Sequence, residues 1–389
     1  MTLNKQNSYL YLIVLVVFLT NITQIPQIVS LGLTSSISIL IWLILLFIII
    51  LRGKIYFKNL FYFFSLVTCI FLLLIFISQI ITGNNYINSS IVYPFMLSIF
   101  VLFIGLQSSI SINIEQYNCI YYSYIMSGFI VAIFVLIDVL NSGFSWSTIG
   151  YAYSSKNSVS QIILTVLILL IFVKFPGRKI ATYFCIISSS FLIILLCMLK
   201  SRASLIGLVL LLFVFLVNKN IRLHVKIIVL TIIIIGILFI LNNNYFYEII
   251  VDNILFANKN SLDLNSLSSG RYDMFKEFPK LFWKSPLIGR GSYYIESFPL
   301  SILVQYGIVG SIPIILLLLI PIFHMISMKY KNNMIFISIT ICYYFNGFFE
   351  ELAPIGPGVK CYFLWLLLGL LLGRKELDTI YAKKKNIRS

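Results

Sequence analysis

The sequence predicts an all-α polytopic membrane protein of about twelve transmembrane helices, and three observations carry that prediction. Long stretches carry no charge, among them Tyr9–Ile25, Ser36–Leu51 and the run that follows Lys226 as far as Leu241. The chain is 60% hydrophobic and 10% charged, with mean hydropathy +1.02, where a soluble domain carries about 25% charged residues. The apolar runs are continuous instead of alternating. Helices that satisfy their own backbone groups fit such runs, and a β-barrel does not.

Taken in order, spans are expected at 8–25, 36–51, 60–82, 89–106, 118–140, 158–173, 180–199, 203–217, 226–242, 300–326, 332–350 and 358–373. No small-residue cleavage site follows the first run, which therefore reads as a retained span and not a signal peptide. The second and third spans are divided by Arg52, Lys54 and Lys58, the sixth and seventh by Lys174, Arg178 and Lys179, and the eighth and ninth by Lys219, Arg222 and Lys226. Lys329 and Lys331 divide the tenth from the eleventh, and Arg374, Lys375, Lys383, Lys384, Lys385 and Arg388 follow the twelfth. With both termini cytoplasmic, all these clusters fall on the cytoplasmic side, as the positive-inside rule requires. A helix needs about 20 apolar residues to cross. The runs at 158–173, 203–217 and 358–373 are short, so eleven spans is the alternative count.

The opposite side then receives Lys156, Lys200, Arg202, Lys259, Arg271, Lys276, Lys280, Lys284, Arg290 and Lys360. These cations break the charge pattern and need another reason. Most lie in one polar island, 242–299, between the ninth and tenth spans. Its first part, 242–269, is rich in Asn, Ser and Leu and reads as a flexible approach. The chain is otherwise one integral membrane domain, 1–389, without an evident internal repeat.

Several functions are excluded by composition. The formal net charge of +16 is explained by cytoplasmic loops and needs no nucleic acid. The six cysteines lie in or at the ends of spans without a Cys-x-x-Cys pair, so they read as small apolar residues. The two histidines, His224 and His324, fall on the cytoplasmic side, which leaves the opposite face without a metal-ligand cluster. No Walker motif appears. Neither a metal nor a cofactor is expected.

Four constellations are candidates for chemistry. Arg202, in Ser201-Arg202-Ala203-Ser204, is either a membrane-edge anchor or a bidentate phosphate ligand. Arg271 and Asp273 open a basic amphipathic helix over 270–285, in which Lys276, Lys280 and Lys284 recur at every fourth residue. That stripe attracts anionic lipid headgroups or covers a site as a lid. Arg290, Tyr293, Tyr294 and Glu296 belong to the run Pro286–Glu296, where either Gly289 and Gly291 let backbone approach a ligand and tyrosines suit sugar rings, or the chain makes an ordinary re-entry loop. Glu350 and Glu351 end the eleventh span and either mark the water boundary or meet Arg202 or Arg271. A general base on this face has to be a carboxylate: Glu296, Asp273 or Glu350.

In their order along the chain these motifs resemble the O-antigen polymerase and O-antigen ligase superfamily, the Wzy-type bacterial polysaccharide polymerases. The resemblance rests on Ser201–Ser204, on Ser-Gly-Arg-Tyr-Asp-Met-Phe from Ser269 with Trp283 beyond it, on Pro286–Ile312 with its Gln305-Tyr306-Gly307, and on Asn346 to Gly373. It covers roughly residues 200 to 373. It implies a glycosyltransferase-C-like fold in the bacterial cytoplasmic membrane and a metal-independent glycosyltransferase. The implied donor is an undecaprenyl-diphosphate-linked oligosaccharide, joined to a growing polysaccharide among membrane lipids, with a flippase and a chain-length regulator as further partners. Arg202 and Arg271 would hold the pyrophosphate, and Lys276, Lys280 and Arg290 would support it. Many relatives carry His-Asn or His-Ser where this chain has Glu296-Ser297, so either Glu296 takes that role or the acceptor chemistry differs. A polymerase for capsule, exopolysaccharide or O-antigen is the expectation. The alternatives are a ligase that passes the glycan to another acceptor, and a flippase for lipid-linked repeats.

Overall fold

A computed structural model describes residues 2–51, 55–87, 90–146, 153–175, 177–255, 270–327 and 334–388. In chain order the helices are α1 (Thr2–Ile22), α2 (Pro26–Ser30), α3 (Thr34–Leu51), α4 (Lys58–Thr82), α5 (Val92–Ser108) and α6 (Tyr117–Asn141). They continue with α7 (Lys156–Phe172), α8 (Arg178–Leu199), α9 (Arg202–Val217), α10 (Leu223–Asn242) and the short α11 (Asn244–Tyr247). Last come α12 (Arg271–Phe282), α13 (Phe298–Ser327), α14 (Met334–Asn346) and α15 (Tyr362–Arg388). No strand occurs among the described residues.

Each apolar run has a helix at its place. Six helices (α3, α4, α6, α8, α10 and α13) are long and apolar enough to cross a bilayer, and five more apolar helices are shorter. Two boundaries differ from expectation. Helix α14 stops at Asn346, where Gly347 begins a turn. Helix α15 runs past the apolar stretch to Arg388. Its polar part is built of good helix formers, and Arg374 pairs with Asp378 one turn on at 3.4 Å.

The core is centred on the first turns of α15, where Tyr362 to Leu368 are all buried, and on α7, buried from Val159 to Leu170. Lipid supplies little hydrophobic drive between helices, so close packing over small residues has to hold them. Helices α5 and α15 show this: a Cβ on Gly369 would strike the Leu102 carbonyl, and one on Gly105 the Leu366 carbonyl. Polar pairs add register. Asn21 on α1 donates to Ser127 on α6 at 2.8 Å and accepts from the Tyr362 hydroxyl of α15 at 2.9 Å. Helix α10 has no buried residue and lies at the periphery.

The island departs from expectation in both halves. Residues 244–255 are helical, α11 followed by a wide π-type turn over Glu248–Leu255. Asn243 starts them by accepting from the amides of Tyr245 and Phe246. The rest of the expected flexible approach, 256–269, lies outside the described residues. Helix α12 ends at Phe282, so Lys284 leaves the basic stripe and sits in the following turn.

Helix α13 is broken at Gly307, with φ 65° and ψ −170°. The break is filled by the chain itself. The amides of Arg290 and Gly291 donate to the carbonyls of Val304 and Gln305 at 2.9 and 3.0 Å, and those of Ile308 and Val309 donate to Pro286 and Leu287 at 2.8 and 3.0 Å. A broken helix at membrane depth is tolerated only where its backbone groups are re-satisfied in this way. Gly289 and Gly291 both take positive φ, and a Cβ on Gly289 would strike the Gln305 backbone. These glycines fit the re-entry-loop reading of the run. They let the Pro286–Gly291 loop close on α13, and Tyr86 fixes that loop by donating to the Gly289 carbonyl at 2.8 Å.

Candidate functional site

The loops that follow α4, α6, α12 and α14 and the first turns of α7, α9, α13 and α15 are joined by side-chain contacts at one end of the bundle. The α13 start is fastened there, because the Phe298 amide donates to the carbonyls of Gly347 and Glu350. The segment after Glu350 is held down by Trp365, whose indole donates to the Pro354 carbonyl at 2.7 Å, and by Ser98, which accepts from the Gly356 amide at 2.6 Å. The carboxylates at 296, 350 and 351 are thus presented on fixed backbone.

Arg271 opens α12 behind Gly270, which takes φ 84° in open space. Its guanidinium reaches across three elements. It pairs with Glu296 at 3.0 Å, donates to the Phe349 carbonyl at 3.1 Å and lies over the Phe349 ring. The Tyr294 hydroxyl donates to the other Glu296 oxygen at 3.3 Å. Desolvation first, and the Glu296 charge second, push that phenol up to about 12.

One residue beyond Phe349, Glu350 pairs with Lys360 at 2.8 Å and accepts from the Asn157 amide at 2.5 Å. Asn157 in turn accepts from the Ser201 hydroxyl at 3.3 Å, directly ahead of Arg202, the first residue of α9. Lys156 sits beside Asn157 at the start of α7. Burial first, then the charges of Arg202 and Arg271, push it down to about 8, while Glu350 and Glu296 act the other way. The contacts of Asn157 with Glu350 and Ser201, and of Arg271 with Phe349 and Glu296, thus join the starts of α7, α9 and α12 to the segments on either side of α13 and α14.

Glu351 faces elsewhere. It accepts from Ser90 at 2.7 Å, from Gln305 at 3.2 Å and from Ser301 at 3.4 Å. Burial raises its carboxyl above the ordinary value, and the three donors work against that rise. Gln305 also donates to the Tyr293 carbonyl at 2.8 Å, which ties this carboxyl to the loop ahead of α13.

The remaining residues expected from sequence are placed as follows. The Arg290 guanidinium lies over the Tyr293 ring at 5.7 Å, while its amide closes the break in α13. Lys276 stands over the Tyr272 ring at 4.5 Å, and Lys276 and Lys280 are on the exposed side of α12. Asp273 is exposed in the first turn of α12. Sequence reasoning missed Lys156, Asn157, Ser90, Ser301, Gln305 and Lys360 as site residues. For Lys156 and Lys360 a signal existed: both were among the cations that break the charge pattern.

Two ion pairs, Arg271 with Glu296 and Lys360 with Glu350, thus lie at this end of the bundle. No curated protein matches the chain. The family model described as O-antigen ligase matches residues 187–315, about a third of the chain and the third that carries Arg202, Arg271 and Glu296, so over that stretch the chain is similar to O-antigen ligases.

Proposed function

We propose that the chain is a glycosyltransferase of the bacterial cytoplasmic membrane that polymerises undecaprenyl-diphosphate-linked repeat units on the outer face. The observation that carries this reading is the pairing of Arg271 with Glu296, next to Glu350, which Asn157 joins to Ser201 directly ahead of Arg202. In the reaction an acceptor hydroxyl attacks the anomeric carbon, the bond from that carbon to the pyrophosphate oxygen breaks, and the pyrophosphate leaves with the electron pair. Charge develops on the leaving group, and fixed arginines stabilise it, each such donor contributing about 3 kcal/mol. Arg202 and Arg271 take that role, with Arg290, Lys276 and Lys280 as outlying cationic support. The hydroxyl proton passes to a carboxylate. Glu296 is better placed for this than Asp273, because it adjoins Arg271. Tyr293, Tyr294 and Glu350 line the approach of the acceptor sugar.

The test is Arg271→Ala, with its amount in the membrane verified. Polymer length in cells should collapse to single repeats, and an unchanged length distribution would sink the assignment. The family description favours a second reading, a ligase that passes the glycan to a different acceptor. Deleting the gene separates the two. Single lipid-linked repeats accumulate if the protein is a polymerase, and full-length unattached chains if it is a ligase.

A further inference from the structure

Helix α12 carries apolar side chains on two sides, and the protein covers only one of them. Met274, Phe278, Leu281 and Phe282 recur at helical spacing and are half-buried, and α12 packs on α13. Tyr272, Phe275, Pro279 and Trp283 form a second stripe. All four are exposed, Phe275 by 49% and Trp283 by 72%. No residue of the helix is fully buried. An isolated helix of this length is marginal in water, because most helical stability comes from covering an apolar face.

The charges follow a definite order round the helix. Going round from the exposed stripe, Lys276 and Lys280 come first, and Asp273 and Glu277 lie beyond them, nearer the half-buried side. The Lys276 ammonium stands over the Tyr272 ring at 4.5 Å, on the edge of the stripe. Lys284 adds a third exposed amine in the turn that follows. The stripe also runs on into α13. Leu287, 60% exposed, lies just after α12, and its carbonyl accepts from the Val309 amide at 3.0 Å. Ile308, Val309 and Ile312 are exposed apolar residues of α13, a helix long and apolar enough to cross a bilayer. Backbone hydrogen bonds thus fasten the chain behind α12 to an apolar stretch of that helix that faces outward.

We propose that the exposed side of α12 lies on the bilayer surface at this end of the bundle and that its occupant is anionic phospholipid. Tyr272, Phe275 and Trp283 enter the boundary between headgroups and acyl chains, and Lys276, Lys280 and Lys284 meet lipid phosphates. Aromatic rings flanked by lysines suit that boundary, where one end of a side chain is dry and the other wet. Asp273 and Glu277 stand off from the phosphates behind the lysines. The helix held in this way carries Arg271 at its first position, paired with Glu296 at 3.0 Å. The bilayer therefore helps to set where that guanidinium stands.

The experiment measures tryptophan fluorescence of the purified full-length protein in nanodiscs of phosphatidylcholine and phosphatidylglycerol in equal parts. A quenching bromine is carried near the headgroup end of the acyl chain, on one lipid or on the other. The difference between wild type and Trp283→Phe isolates the emission of Trp283. That emission should be quenched in both preparations, and about twofold more strongly when phosphatidylglycerol carries the bromine. Combining Lys276→Gln, Lys280→Gln and Lys284→Gln should remove the preference. Raising the salt to about 1 M should remove it in wild type as well, because salt screens the lysines without altering the chain. Trp283 emission that neither brominated lipid quenches would mean that water or a protein partner covers the stripe, and overturns the proposal. Equal quenching by the two lipids at low salt also overturns it, as does a preference that persists both in the glutamine variant and at high salt.

Discussion

Glu350 and Glu351 adjoin in sequence and differ in surroundings. Glu350 is ion-paired with Lys360, whereas Glu351 is held by two hydroxyls and an amide, with no ion pair among the described residues. Glu351 binds its proton more tightly in the folded protein than in the unfolded chain. The stability this contributes is present in acid and is lost as the pH rises from the ordinary carboxylate value through the raised one. Thermal melting in detergent should therefore show wild type gaining on Glu351→Gln as the pH is lowered from neutral, with the two within about 1 kcal/mol at neutral pH. A melting difference that stays flat with pH would contradict this. Glu296 makes the complementary prediction. Glu296→Gln keeps the shape and removes the proton acceptor, so turnover in a purified assay should fall about 100-fold or more while the protein melts as before. A turnover near wild type would move the base elsewhere.

At the scale of elements, the break in α13 at Gly307 is the feature least legible in the sequence. Gly289 and Gly291 were legible as positions that need a close backbone approach. Their partner was not, because it lies on the far side of a turn, at the Val304–Gln305 carbonyls. Gly307→Ala should cost about 3 kcal/mol or more, because it combines positive φ with a Cβ against the Leu287 carbonyl. Gly236→Ala in α10 is the control. No atom lies near its Cβ, and a helical Gly→Ala change is neutral or favourable by about 1 kcal/mol. Melting and membrane yield of the two variants check the pair, and equal losses would mean that the break is not tightly filled.

Across the whole molecule, the apolar helices were legible because an apolar run is a local property of the sequence, read against the length a bilayer asks for. The candidate site was anticipated from an excess of cations on the face expected to be outside, which singled out Arg202 and Arg271, whereas Glu296 and Glu350 were singled out as carboxylates able to act as a base. Its pairings were not legible. Glu350 to Lys360 spans a buried loop, and Asn157 to Glu350 joins residues far apart in the chain. Such contacts depend on how α5 and α15 set the bundle. Gly369→Leu should force these helices apart at the Leu102 carbonyl, costing about 3 kcal/mol, and should weaken activity although the residue is remote from the charged end. A variant that expresses and turns over normally would show that the α5–α15 seam is not what holds the site together.

The loop that closes the break in α13 also limits how such a protein can diversify. Pro286–Gly291 is shared property of the extramembrane segment and of the transmembrane helix, since four backbone hydrogen bonds join them. An exchange of the polar segment alone between two such proteins would leave the amides of Ile308 and Val309 and the carbonyls of Val304 and Gln305 unmatched in lipid. Recombination, natural or designed, has to carry α13 along with the segment before it. The heritable module is the seam, not the loop.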